Sequence, residues 1–379
     1  MKTYKNLYSQ VCAWDNLYQA YRQARKGKRG RQAVAAFEWD LEGNLVRLQD
    51  ELIAHTYQPG SYDSFYVHEP KRRLISAAPF RDRVAHHALC QVIEPLFERR
   101  FIHDSYANRK GKGTHRALDR CQEFARRYRY VLPCDVRQFF PSIDHAILQN
   151  TLRRVIADAN VLWLMDRILE SGVGVLSEAY DMHWFPGDDP STGPPSRSGR
   201  GSGQGLFAAL RPRGLPIGNL TSQFWANVYL NSLDHLVKRE LKCPAYLRYV
   251  DDFLLFADDK SRLNTWRAAV VEHTARLRLT LHEHRAQPRP VTEGIPFLGF
   301  TVFPTHRRLK RRKGVFFQRR FKRLLTAYRR GDIELERLHA SVQGWVSHVQ
   351  HGDTWGLRRA LFAAHPIPAG ALHLQEAQR

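Results

Sequence analysis

Two adjacent carboxylates, Asp251 and Asp252, interrupt an apolar run, LRYVDDFLLFADD, over residues 247–259. Burying an unpaired carboxylate costs several kcal/mol or more, so such a pair calls for a cation opposite it. A third carboxylate, Asp135, closes the apolar stretch VLPCDV. A strand-end carboxylate facing a hairpin-tip pair is a set of hard oxygen donors suited to two Mg²⁺ ions. Two such ions can clamp the attacking and leaving oxygens of a phosphoryl transfer. A DD pair on its own is more often a turn or a cap, but here bulky apolar residues flank it on both sides. Asp258-Asp259, just ahead of Lys260-Ser261, reads instead as a helix cap, and Asp188-Asp189 as solvated loop residues.

The elements that must position these groups follow from periodicity. Apolar residues spaced by three and four predict amphipathic helices over 10–25 and 40–54, separated by the basic turn RKGKRGR. Tyr62, Phe65 and Val67, then Leu74 and Ile75, predict two short strands around Glu69-Pro70-Lys71. A helix is expected from Arg81 to Arg100, a strand over 131–136, and helical structure over 145–170. Residues 186–205 (PGDDPSTGPPSRSGRGSGQG) have the composition of a flexible loop. A long helix follows over 221–241, then the hairpin carrying the Asp pair, a helix over about 260–278, and a short strand over 295–302.

Lys and Arg number 59 against 37 Asp and Glu, a net charge of +22 in 379 residues. That excess points to a polyanionic partner, with nucleic acid ahead of an acidic membrane. No apolar run approaches the length of a membrane span and the start is not a signal peptide, so a cytoplasmic protein is expected. The five cysteines are widely spaced without C-x-x-C, which argues against a zinc site or disulfide framework. The histidines at 86–87 and at 282 and 284 read as surface or core residues rather than metal ligands. Between Arg307 and Arg330 stand twelve Lys or Arg and no acid, with Phe317, Phe321, Leu324, Leu325 and Tyr328 on one helical face. Uncompensated cations at that density predict nucleic-acid contact.

Taken together, these motifs resemble the reverse transcriptases over about residues 65–350, in that family's order. LRYVDDFLLF resembles the Y-x-D-D hairpin, and VLPCDVRQFFPSIDH the first catalytic-Asp motif. PKRRLISAAPFRDRVAHHAL and SYANRKGKGTHRAL resemble the fingers motifs, GLPIGNLTSQFWANVYLNSLDH the helix motif, and IPFLGF the primer-grip hairpin. The resemblance implies an α+β right-hand polymerase of fingers, palm and thumb, its palm an antiparallel sheet backed by helices. It divides the chain into N-terminal helices and fingers over 1–108 and a first palm part over 109–144. Fingers helices and loop follow over 145–213, then a second palm part over 214–303 and a basic helical thumb over 304–379. No appended ribonuclease H or endonuclease pattern is visible.

By the same resemblance Asp135, Asp251 and Asp252 are the catalytic, metal-binding carboxylates, joined by the backbone carbonyl of Val136 and serving two Mg²⁺ ions. Lys71 and Arg73 match the residues that hold the triphosphate, Arg72 exchanging with Arg73 if the register differs by one. Arg109 resembles a template- or nucleotide-contacting position, and Phe139, Ile217, Gly218 and Gln223 fall in the nucleotide neighbourhood. Phe140 matches the gate against a ribose 2′-hydroxyl, with a core aromatic as the alternative. Phe297, Leu298 and Gly299 match the primer grip, and Arg311, Arg312, Arg319, Arg320, Lys322 and Arg323 the nucleic-acid surface. The implied partners are an RNA template, an RNA or DNA primer and deoxynucleoside triphosphates. Where the family commonly has a proton-donating Lys after Leu281-His-Glu, this chain has His284 and Arg285.

Ile217 before Gly218, and Gln223 after Ser222, resemble the enzymes of diversity-generating retroelements. In that subfamily the enzyme miscopies template adenines and works with a small helical-bundle accessory protein. A related enzyme of phage defence, and an RNA-binding scaffold with a vestigial site, are the rival readings.

Overall fold

The protein, a computed structural model, is described over residues 2–68, 72–179 and 211–367. The N-terminal region holds α1 (Tyr8–Cys12), α2 (Trp14–Ala24), α3 (Gln32–Trp39) and α4 (Leu41–Ile53). The two-helix expectation therefore misses α3, which follows the basic turn directly. Val34 and Phe37, three residues apart, bury its inner face, and that signal is too short to stand out in an Ala-rich run. Asp40 follows the end of α3 and starts α4 by accepting from the Gly43 amide at 3.2 Å. Strands β1 (Asp63–Val67) and β2 (Arg73–Ala77) pair antiparallel with Phe65 opposite Ile75. The turn that joins them, with Lys71, lies outside the described residues, as does the Gly/Ser/Pro stretch with Asp188-Asp189.

α5 (Phe80–Glu98) is the long helix against which α2 packs. α6 (Thr114–Arg127) leads to β3 (Tyr130–Asp135), then α7 (Phe139–Ser142), α8 (His145–Arg153) and α9 (Ala159–Ser171). The helix expected over 145–170 is thus two, the second capped by Asp158, which accepts from the Asn160 and Val161 amides. α10 (Leu220–His235) precedes β4 (Ala245–Tyr249), β5 (Asp252–Ala257), α11 (Lys260–Arg276) and β6 (Arg289–Pro290). Asp259 caps α11 as expected, accepting from the Ser261 amide at 2.9 Å.

The central sheet has the order β4-β5-β3-β6, all antiparallel. Side chains alternate between its faces with period two. Leu132, Cys134, Phe253, Leu255 and Ala257 enter the main core, where α10 and α11 pack. Val131, Leu254, Phe256, Ala245 and Leu247 enter a second core beneath α6. With both faces covered, the strands read as an unbroken apolar run rather than an alternating one. Pro133 is tolerated because β6 pairs only with Tyr130 and Val131, and residues 280–282 meet that edge of β3 again only from Asp135 onward.

Residues 295–302, expected as one strand, form two: β7 (Ile295–Phe297) and β8 (Phe300–Val302), with β9 (Arg307–Leu309) alongside. Leu298 and Gly299 turn the chain at φ 45° and 93°. α12 (Arg311–Arg329), α13 (Leu335–Val349) and α14 (Trp355–Ala364) enclose a third core of Phe317, Phe321, Leu325, Leu338, Val342 and Leu361. Its centre is the stack of Phe317 on Trp345, with ring centroids 4.1 Å apart. All five cysteines are buried and free. Among the described residues no helix is long and apolar enough to cross a membrane.

His86 sits in the core on α5, 1% exposed, and neither ring nitrogen has a hydrogen-bond partner among the described residues. Burial pushes its pKa from 6.5 down to about 3, and that of His87 down to about 4. A folded pKa below the unfolded one gives stability that is complete above about pH 6.5 and lost as pH falls toward the folded values. Each histidine steepens the loss by up to about 1.4 kcal/mol per pH unit in that window. The His86→Leu variant is therefore expected to lose less stability than the parent between pH 6.5 and 4, as read by thermal melting. Parallel stability curves for the two proteins would refute a neutral buried His86.

Candidate active site

The β3–β5 ladder ends with Asp135 directly opposite Asp252. Asp251 lies one residue earlier, in the turn between β4 and β5. That turn is built on Val250 at φ 56°, a left-handed conformation that a β-branched residue adopts at a cost of about 1–3 kcal/mol. Something must hold it there, and the holder is Arg248, which is fully buried beneath the turn. Its Nε and Nη2 donate to the two oxygens of Asp234 on α10, at 2.8 and 2.7 Å. Its Nη1 donates to the Asn227 side-chain oxygen at 3.1 Å and to the Val250 carbonyl at 3.0 Å. Tyr246 Oη donates to the same Asp234 at 2.8 Å. Burial works against the charge on Arg248, but the Asp234 carboxylate outweighs it and raises the guanidinium pKa. Arg248 also anchors residues 104–107 through its backbone, donating to the Asp104 carbonyl and accepting from the Tyr106 amide, both at 2.9 Å.

On the other side of the carboxylates, Asp135 accepts the His282 amide at its carbonyl, at 2.9 Å. Its carboxylate stands 3.9 Å from His282 Nε2 and 3.8 Å from Arg285 Nη1. The imidazole beside Asp135 is thus His282, while the expected His284 is exposed. Burial lowers the His282 pKa while Asp135 pulls it up. Val136 is buried, its backbone bridged to Leu281.

Among the described residues no three His, Cys, Asp or Glu side chains are already gathered into a metal-ligating group. The donor chemistry at the ladder's end nonetheless fits a hard divalent cation, because two carboxylates are register partners and a third is their neighbour.

Phe140 is half-buried, and Phe139, 2% exposed, packs behind it with ring centroids 5.5 Å apart. The expected nucleotide contact from Phe139 is therefore corrected: its ring is core and supports Phe140. Arg109 is also corrected. Its side chain is 6% exposed and forks onto Glu98 at 2.6–3.0 Å, with further bonds to the Ile102 and Ser105 carbonyls at 2.7 and 2.8 Å. A guanidinium so buried and so engaged does not face a nucleotide. Arg109 instead closes the loop that carries Asp104 and Tyr106.

β2 is laced to the segment before α10. The Ile217 carbonyl accepts the Ser76 amide at 2.9 Å, and Asn219 bridges the Ala78 amide and the Ser76 carbonyl at 3.1 and 3.0 Å. Gly218 has φ 119°, and a Cβ there would lie 3.1 Å from Ile75 Cγ2, so the approach needs glycine. Exposed Arg73 is carried on β2, while Arg72 lies over the Tyr66 ring at 3.9 Å. Gln223 is half-buried in the first turn of α10. Phe297 is buried, and Leu298 and Gly299 form the tip of the β7–β8 turn. Arg311, Arg312, Arg319, Arg320, Lys322 and Arg323 all lie on the exposed face of α12.

Asn219, Asn227, Asp234 and Arg248 carry much of this geometry, and the sequence alone assigned none of them a role. A lone Arg inside the apolar strand AYLRY was the one available signal.

Arg109→Ala is expected to lower stability by on the order of 2 kcal/mol or more, since charge-assisted bonds are lost. The apparent KM for a nucleotide should stay within about twofold of the parent's, as expected when no binding contact is removed. Melting curves and nucleotide titrations check this, and a raised KM at unchanged stability would restore the nucleotide-contact role.

Residues 67–302 match the family reverse transcriptase (RNA-dependent DNA polymerase). Protein YkfC of Escherichia coli K12 is 26% identical over 316 residues, covering 72% of this chain and 73% of that protein. The group II intron-encoded protein LtrA of Lactococcus lactis subsp. cremoris is 23% identical over 228 residues, covering 59% of this chain but 33% of its own length. A telomerase from Candida albicans, solved with a fragment of telomeric RNA, aligns with TM-score 0.39 at 10% identity, covering 71% of this chain and 51% of that one. The family match takes in β3, β4 and β5 with all three aspartates and runs through β8. This chain belongs to the reverse transcriptase (RNA-dependent DNA polymerase) family.

Proposed function

We propose that the chain copies an RNA template into DNA, joining the 3′-hydroxyl of a primer to a deoxynucleoside triphosphate with release of pyrophosphate. The observation that carries this reading is the meeting of Asp135 and Asp252 at the end of the β3–β5 ladder, with Asp251 beside them. Asp135, Asp251 and Asp252, with the Val136 carbonyl, would hold two Mg²⁺ ions. Bound there, the metal neutralises phosphate charge and acidifies the attacking hydroxyl. Arg73, with Lys71, would grip the triphosphate, the Arg fork matching phosphate oxygens. Phe140, braced by Phe139, would exclude a ribose 2′-hydroxyl. His282, 3.9 Å from the Asp135 carboxylate, would give a proton to the leaving pyrophosphate, a role that Arg285 cannot fill.

In this reading the central sheet and its helices are the palm, β1–β2 and the N-terminal helices the fingers, and α12–α14 the thumb. The turn at Leu298-Gly299 would grip the primer, and the exposed cations of α12 would follow the template–primer backbone. Ile217 supports the finer assignment to a diversity-generating retroelement, in which a small helical-bundle protein would assist. An Ile side chain offers no hydrogen bond to the nascent pair, so a mispair forfeits less than it would against an amide.

The paired variant Asp251→Asn and Asp252→Asn is expected to cut Mg²⁺-dependent primer extension by about three orders of magnitude or more, since charge stabilisation is lost. RNA affinity should change by no more than about twofold, because α12 is untouched. Extension near the parent rate would sink the reading.

Ile217→Gln is expected to lower misincorporation opposite template adenine by a few-fold to roughly tenfold, the worth of one hydrogen bond. Sequencing cDNA made from one adenine-containing RNA reads this directly. Equal error spectra would count against the retroelement assignment.

A further inference from the structure

We infer that Arg248 is the positioning residue of the carboxylate pair. By clamping the Val250 carbonyl it keeps the turn left-handed, and so sets where Asp251 and Asp252 present their oxygens to a divalent cation. A buried structural guanidinium such as Arg109 also bonds backbone carbonyls, so what distinguishes Arg248 is which carbonyl it holds. Here one donor is spent on the single backbone carbonyl that precedes Asp251, and that residue is the strained one. The opposite edge of the guanidinium is fixed twice to Asp234 on α10, and Nη1 is steered by Asn227, about two turns earlier on the same helix. Asn227 also donates to the Ala107 carbonyl at 2.9 Å. The turn is therefore referenced to α10 and to residues 104–107, not only to its own strands. With no exposure at either partner, the Arg248–Asp234 pair is shielded from solvent competition.

The planar fork matters as much as the charge. A Lys at 248 keeps a cation opposite Asp234 but, as a single ammonium, cannot reach Asp234, Asn227 and the Val250 carbonyl in the same arrangement. Freed from the clamp, Val250 relaxes out of the left-handed region and carries Asp251 with it. A glycine at 250 favours that region unaided, so it should compensate for the lost clamp.

The inference rests on the polymerase reading only for its kinetic arm. The primary readout is Mn²⁺ binding to the nucleotide-free full-length protein, followed by electron paramagnetic resonance of the free ion. The Asp251→Asn, Asp252→Asn protein defines the signal from the pair. Arg248→Lys, shown to be folded by circular dichroism, is expected to weaken that binding about tenfold, and Val250→Gly in the same background to recover most of the loss. Val250→Gly alone gives the reference for the missing side chain. If Arg248→Lys does not fold, Asp234→Asn takes its place, since it loosens the guanidinium without removing it. In primer extension the same variants should raise the half-saturating Mg²⁺ concentration and lower kcat, with KM for the nucleotide within about twofold.

Unchanged Mn²⁺ affinity in a folded variant, no recovery with glycine, or no binding attributable to Asp251 and Asp252 in the parent would each overturn the inference. A parent that binds Mn²⁺ at the pair yet extends no primer would instead overturn the polymerase reading. The metal arm would then still decide the role of Arg248.

Discussion

The register that sets Asp135 against Asp252 is the constraint on which the rest depends. A slip of one residue between β3 and β5 would send every side chain of one strand to the opposite face. Two different cores forbid it, because Leu132 and Cys134 face α10 and α11 while Val131 faces α6. The two aspartates are far apart in sequence, and the helices between them pack into the core that locks the ladder. Long-range pairing of this kind is entropically expensive to close. It repays the cost by making the carboxylate geometry a property of the whole fold rather than of a loop.

The charge distribution follows a second rule. Most described interior acids already have a structural cation: Asp234 has Arg248 at 2.7 Å, Asp144 has Arg278 at 2.7 Å, and Asp104 has Arg120 at 3.1 Å. These interior acids are thereby matched within the framework, while exposed cations stand densely on α12. At the surface, exposed Asp119 holds Arg307 at 2.7 Å, tying α6 to β9. The aspartates at the sheet end differ from the others in gathering their oxygen donors at one place, Asp135 directly opposite Asp252.

Much of this was legible in the chain before folding. The hairpin showed in LRYVDDFLLF because two charges wedged between apolar runs demand both a turn and a counter-ion. α12 showed because its apolar face and its cations alternate at helical spacing. The missed helix α3 is eight residues long and its two buried side chains are the minimum that can define a face. Arg109 and Phe139 were misread for another reason. Residue type gives chemistry but not direction, and only the folded loop shows that the Arg109 fork is already engaged. His282 and His284 illustrate the same limit, since spacing alone could not say which imidazole turns toward Asp135. The roles of Asp234 and Asn227 were invisible because each looks like an ordinary polar residue on a helix until a buried guanidinium arrives from another strand.

The three-helix unit at the C-terminal end of the described chain closes its own core, with Phe317 and Trp345 at its centre. Its contacts with the rest include β9, His348 against Phe300 with centroids 5.1 Å apart, and Gly352 pressed against the same ring. A body that carries its own apolar interior can tilt without wetting it. Its inclination to the sheet is therefore set by contacts around Phe300, by His115 of α6 stacked on His351 with centroids 3.5 Å apart, and by the Arg307 carbonyl, which accepts the Asp353 amide at 2.7 Å. The stiffness of α12 is set elsewhere. The attitude of the cation-bearing helix and its stiffness are thus fixed by different residues, so a substitution can change one and leave the other as it was.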